Sequence, residues 1–316
     1  MSWVKSYSFP EGEIRGDMFY INHDNGSFTV IDCFFGNENE RIDEILEEIV
    51  RESGDKKIRR FISTHPDRDH IKDIEYLFDK WNTKNFYAVS NKVSAEKNNA
   101  SLDKYIELRD TCNFPIQMGT KRTYLNQSGE LTGSSYIDFH WPDIKNERFI
   151  KALGHAAEGE SINNICPIIT YSEKNDATFM WMGDLETAMQ QEFYNTTPQK
   201  DLPKVDILFA PHHGRRSGSV PPELLDALDP KIIIVGNAPC EHLDYYDSSK
   251  TITQNSSGDI CFNVVDNKIR IYTKKYIEIS NRPKRLVDET LILPKGWSYC
   301  GTLNLNSRSL MSEKDV

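Results

Sequence analysis

Apolar and polar positions alternate along the chain in blocks that predict interleaved strands and helices. Met18 to Asn22 and Ser27 to Asp32 flank Asp24-Asn25-Gly26, a pattern that predicts a hairpin whose second strand ends on Asp32. Ile42, Ile45, Leu46, Ile49 and Val50 recur at three- and four-residue spacing, so a helix with one buried face follows, closed by Ser53-Gly54-Asp55. A strand over Ile58 to Ser63 then runs into a second amphipathic helix marked by Ile71, Ile74, Leu77, Phe78 and Trp81. Between Thr83 and Thr132 the pattern predicts a strand at Phe86 to Val89, a polar helical stretch and a loop rich in Gly, Ser and Thr. Further strands are expected at Tyr136 to Trp141, Ile165 to Tyr171, Thr178 to Met182, Val205 to Ala210 and Ile232 to Val235, with helices at Glu186 to Tyr194 and Pro222 to Leu228. Asp259 to Val265 and Lys268 to Tyr272 form a last pair, turning at Asp266-Asn267, and one more strand is expected at Thr290 to Leu293 before a polar end at Ser307 to Val316. This mixed order predicts a layered α/β sandwich rather than a purely parallel sheet.

The chain has 316 residues, 38% hydrophobic and 27% charged, which is an ordinary globular balance. The longest apolar runs are strand-sized, well below the roughly 20 residues of a membrane helix. The start, Met1-Ser2-Trp3-Val4-Lys5-Ser6, lacks an export signal, so a cytoplasmic protein with no membrane partner is expected, and oligomerisation is left open. Six cysteines without a Cys-x-x-Cys pair argue against a disulfide framework or zinc knuckle and for core packing. A net charge of -10 disfavours loose phosphate binding. The basic clusters at Lys56-Lys57-x-Arg59-Arg60, Arg215-Arg216 and Lys274-Lys275 are expected mainly as solvated faces.

Chemistry concentrates in Thr64-His65-Pro66-Asp67-Arg68-Asp69-His70, where four of six consecutive residues carry an imidazole or a carboxylate suited to a divalent cation. An N-cap at Asp69 would explain only one of the four. The segment lies at a strand-to-helix junction, where rigid elements can hold loop-borne ligands. It resembles the Thr-His-x-His-x-Asp-His signature of the metallo-β-lactamase superfamily, with Asp67 at the second histidine, the form found in the ComEC-like branch. Met182-Gly183-Asp184, Phe209-Ala210-Pro211-His212-His213-Gly214-Arg215-Arg216 and Asn163-Asn164-Ile165-Cys166 resemble later motifs of that branch, and Gly16-Asp17 with Ile31-Asp32 resembles its opening.

The resemblance implies a four-layer αββα sandwich over residues 1–280, with 281–316 as an extension of unassigned role, and two divalent metal ions, zinc or manganese. His65 and Asp67 would hold the first ion, Asp69 and His70 the second, and Asp184 both. His212 would complete the second and Asn164 the first, with His155 of Gly154-His155 as the competing residue. Such a pair of ions, about 3.5 to 4 Å apart, holds a hydroxide for hydrolysis. Asp67 in place of a histidine hardens the site and makes manganese a rival to zinc. Asp69, His213 and His242 are the expected catalytic residues, and Arg215 and Arg216 the substrate-binding ones, since guanidinium pairs well with phosphate. The expectation is a phosphodiesterase or nuclease acting on nucleic acid or a nucleotide. The alternatives are a lactone, thioester or other ester hydrolase, or a non-enzymatic sensor or binding module on the same fold.

Overall fold

The computed structural model describes residues 2–10, 15–36, 39–81, 85–96, 98–173, 177–291 and 293–305. Its first half comprises β1 (Ser2–Ser6), β2 (Phe19–Asn22), β3 (Ser27–Ile31), α1 (Asn39–Ser53), β4 (Ile58–Ile62), α2 (Arg68–Ile71), α3 (Ile74–Trp81), β5 (Asn85–Ala88), α4 (Ala100–Thr111) and β6 (Asn113–Pro115). The second half contains β7 (Ile137–Trp141), α5 (Glu147–Ala157), β8 (Ile168–Glu173), β9 (Ala177–Trp181), α6 (Thr187–Thr196), β10 (Ile207–Phe209), α7 (Pro222–Leu228), β11 (Ile232–Val235), β12 (Thr251–Thr253) and α8 (Gln254–Ser257). Three strands follow, β13 (Ile260–Val265), β14 (Lys268–Thr273) and β15 (Ser298–Asn304).

These form a nine-stranded sheet, β15-β14-β13-β1-β2-β3-β4-β5-β6, and a six-stranded sheet, β12-β11-β10-β9-β8-β7. Both are mixed. In the first, β3, β4 and β5 run parallel while β1, β2 and β3 are antiparallel. In the second, β9, β10 and β11 are parallel while β7, β8 and β9 are antiparallel. Strands covered on both faces read as unbroken apolar runs, as in the Ile-Ile-Ile-Val of β11.

Aromatic rings join the two inner faces. Phe19 lies 4.8 Å from Phe209, Trp181 stacks on Phe209 at 4.9 Å, and Phe262 meets Phe179 at 5.6 Å. Such pairs contribute about 0.5–1.5 kcal/mol each beyond the area they bury. Helices cover the outer faces: Phe78 of α3 packs on Phe61 and Tyr105 of α4 on Phe86, while Phe149 of α5 and Phe193 of α6 pack on Trp141. The expected αββα layering is therefore present.

Several elements depart from the sequence pattern. β8 begins at Ile168, because Ile162–Ile165 forms a turn of 3-10 helix instead of the start of a strand. α5 and β1 were not anticipated. The strand expected at 290–293 is found at Ser298–Asn304, where it pairs with β14, so the segment after residue 280 extends the large sheet. The polar end at 307–316 lies outside the described residues. Arg60, expected on a solvated face, is 2% exposed, with its guanidinium donating to Thr29 Oγ1 and the Tyr124 carbonyl. Among the described residues no helix is long and apolar enough to cross a membrane.

Candidate metal centre

The loops that matter leave the carboxyl ends of β3, β4, β9 and β10 at one edge of the sandwich. Parallel pairing sets Ile31 against Ile62, so Asp32 meets the loop that follows β4. Asp32 is buried and accepts three hydrogen bonds: from Thr64 N at 2.8 Å, Thr64 Oγ1 at 2.7 Å and His70 Nδ1 at 2.8 Å. Thr64 Oγ1 has thereby given away its hydrogen, so it accepts from His65 Nδ1 at 3.1 Å. Both imidazoles are left with a bare Nε2, the arrangement by which a carboxylate behind a histidine prepares it to bind metal.

The second sheet brings the opposing groups. Gly183 has φ +51°, and a Cβ there would lie 2.8 Å from Thr64 Cβ, so only glycine lets the β9 loop approach this closely. Asp184 then sits with Oδ1 3.1 Å from His70 Nε2, while its backbone N–H donates to Cys166 Sγ. After β10, His212 and His213 both have left-handed backbone, φ +53° and +55°. Each such residue costs on the order of 1–2 kcal/mol, strain held in place by the surrounding packing. The turn sends the neighbouring rings into different settings. His213 is 1% exposed, donates from Nδ1 to Asp17 at 3.1 Å and points Nε2 at Asp69 Oδ2 at 3.3 Å. The His212 side chain is 14% exposed, with Nδ1 paired to Ser217 Oγ and Nε2 3.5 Å from Asp184 Oδ2.

Charge is unbalanced in this pocket. Burial opposes ionisation of Asp184, but His70 and His213 outweigh it and hold the carboxyl well below the usual range. Burial likewise works against the charged form of His70, yet Asp184, Asp69 and Asp32 together raise it well above the ordinary imidazole value. His65 is pushed down, by burial first and by His70 second.

The residues present fit a divalent cation. His65 Nε2, His70 Nε2, Asp184 Oδ1 and Asn164 Oδ1 are all buried without a hydrogen-bond partner. Asp17, His70, Asp184 and His213 each offer a donor atom within 4.8 Å of one another. Buried lone pairs left unmatched in this way are costly unless a cation satisfies them.

The sequence-predicted residues fall into three groups. His65, Asp69, His70, Asp184, His212 and His213 come together. Asp67 stands at the edge, capping α2 through Arg68 N at 2.7 Å, so Asp67 and not Asp69 is the cap. Asn164 donates Nδ2 to Glu186 Oε2 and keeps its carbonyl oxygen unmatched. Its rival His155 lies on the exposed end of α5 beside Glu160, away from the cluster. Arg215 and Arg216 line a groove adjoining His212. The side chain of His242 lies outside the described residues. Asp184 does not cap α6, whose N-cap is Glu186, and its carboxylate is left for the site. The residue given no role by the sequence is Asp17. Its signal was the preceding glycine: a Cβ at Gly16 would lie 2.1 Å from the Asp69 carbonyl, and Asp17 N donates to that same oxygen.

Comparison with known proteins agrees with this architecture. Residues 12–116 match the family model of the metallo-beta-lactamase superfamily. The chain carries a domain of that superfamily, a class of metal-binding hydrolases. Within it, the chain is similar to ComE operon protein 3 of Bacillus subtilis (strain 168), 25% identical over 193 residues, which are 61% of this chain and 22% of that protein. It therefore spans only about a fifth of that relative. Among solved structures, a diphosphatase from the PhnP family is 13% identical, covering 83% of this chain and 98% of that one at a TM-score of 0.40. CmlA, a diiron β-hydroxylase from Streptomyces venezuelae, is 11% identical, covering 75% and 44% at a TM-score of 0.40.

Proposed function

We propose that the chain is a metal-dependent phosphodiesterase acting on nucleic acid or a nucleotide. The observation that carries the metal dependence is the convergence of unmatched donors at His65, His70 and Asp184. His65, Asp67 and Asn164 would hold one cation, Asp69, His70 and His213 a second, and Asp184 would serve both. Zinc and manganese both suit this nitrogen and carboxylate set. The cations supply Lewis-acid stabilisation of charge on phosphoryl oxygens and a water activated near neutral pH.

The protein's own groups do the rest. Asp32 and Asp17 fix the ring orientations of His70 and His213 from behind. Burial of His213 and exposure of His212 make the former the better ligand and leave the latter at the open edge, reversing the order expected from sequence. His212, its Nδ1 held by Ser217, is placed to hand a proton from Nε2 to a leaving oxygen. Arg215 and Arg216 favour an anionic ester over a neutral lactam.

Purified chain loaded with manganese or zinc is to be assayed on bis(p-nitrophenyl) phosphate, single- and double-stranded nucleic acid and cyclic nucleotides. Turnover of these but not of lactones or thioesters is expected. Cleavage of lactones or thioesters alone would replace the proposal with a small-molecule esterase, a reading the net charge of -10 favours. A protein that binds no metal and is equally stable with chelator would instead be a scaffold.

A further inference from the structure

Beyond His212 the site opens into a groove of about 800 Å³, lined chiefly by Glu186, Thr187, Arg215, Arg216, Ser217 and Ser219. His212 is the one member of the donor cluster on its wall, so the groove is a separate compartment from the metal centre. Two independent features suit it to an anion. Among the described residues neither guanidinium has an ion-pair partner, and Arg215 Nε is buried with no hydrogen-bond partner at all. The amino end of α6, ten residues long, faces the same space, and its N-cap Glu186 makes no side-chain cap. The N–H groups of a first helical turn have no acceptor within the helix and attract negative charge.

The remaining polar groups do not compete. Thr187 Oγ1 donates to the carbonyls of Ser217 and Ser219, and Ser219 Oγ donates to that of Arg216. Glu186 is the one carboxylate on the lining, and its Oε2 accepts from Asn164. Two guanidiniums against one carboxylate leave a positive balance, to which the helix end adds.

We infer that this groove is a subsite for a second phosphate of the substrate, linked through a nucleoside to the phosphodiester that is cleaved at the metal centre. The inference rests on the phosphodiesterase reading and narrows it. A nucleotide chain or a phosphorylated dinucleotide presents two phosphates and fills both compartments. A cyclic mononucleotide presents one and fills a single compartment.

Thymidine 3′,5′-bisphosphate and thymidine 5′-monophosphate, neither of which contains a diester, serve as probes in calorimetric titrations of the manganese-loaded full chain at fixed ionic strength. The bisphosphate is expected to bind at least about tenfold more tightly. In Arg216→Glu, an exposed position, that ratio falls below about threefold, and Arg216→Lys restores part of it. Equal affinities in the wild type, or a ratio that survives Arg216→Glu, overturn the subsite. Bis(p-nitrophenyl) phosphate, with a single phosphate, reports on catalysis separately. Its turnover together with equal binding of the two probes removes the subsite and leaves the phosphodiesterase. A ratio abolished by Arg216→Glu without any turnover keeps the subsite and removes the activity.

Discussion

The two sides of the metal centre are built in different ways. On the β4 side, His65 to His70 fall within one short loop, and a single buried carboxylate, Asp32, anchors Thr64 and His70 and through Thr64 reaches His65. Order there comes from hydrogen bonds. On the β9 and β10 side, Asp184 and His213 arrive from separate loops, each held by left-handed backbone, at Gly183 and at His212-His213. Order on this side comes from strain locked in by packing against Thr64 and Val235. A site of this kind can be preorganised by matched polar groups or by constrained backbone, and this protein uses one device on each sheet.

The largest test of that contrast removes the residue on which both sides converge. Asp184→Asn is expected to abolish metal retention and lower turnover by about a thousandfold, read by metal analysis and steady-state kinetics. Next, Asp32→Asn and Asp17→Asn separate the sides. Loss of a carboxylate behind a metal-binding histidine costs about 10- to 100-fold in metal affinity. Asp32 supports more partners than Asp17, so competition titrations with a chelating dye should show the greater loss in Asp32→Asn. Equal losses would mean that Asp32 gains nothing from its three bonds.

A smaller effect probes the backbone side. Gly183→Ala imposes a left-handed conformation on a side chain and crowds Thr64, and is expected to cost about 1–3 kcal/mol in denaturant unfolding. An unchanged midpoint would show that the β9 loop relaxes freely. The smallest effect lies away from both sides. His23 is held well below its usual 6.5 by burial, with Arg60 and then Lys56 adding to the shift. The native state refuses a proton that the unfolded chain accepts, so the stability it confers is complete above pH 6.5 and declines as pH falls below it. His23→Gln should flatten that decline by up to about 1.4 kcal/mol per pH unit, measured as urea unfolding at several acidic pH values. A decline as steep as in the parent would place the acid sensitivity elsewhere.

The same asymmetry decided what was visible in the chain. The β4 side could be read directly, because donors close in sequence on one loop are close in space whatever the rest of the fold does. The hairpin at Asp24-Asn25-Gly26 and the helices α1 and α3 were legible for a similar reason, as local period and turn chemistry specify them. Asp17 was not legible. Its partner is His213, 196 positions away, and they meet only because the two sheets stack. Nor could sequence rank His212 against His213, since two adjacent histidines look alike until burial separates them. The choice between Asn164 and His155 turned on which side chain faces inward, and the exposed end of α5 answered it.

By itself, then, the sequence determined the class of fold, the first cluster of ligands and the hardness that Asp67 brings to it, all consequences of residue type and short-range spacing. The tertiary structure alone decided which carboxylate stands behind which histidine, which of two neighbouring rings is buried, and that Arg215 and Arg216 face an uncapped helix end. Those are matters of through-space contact between distant segments, and no local pattern encodes them.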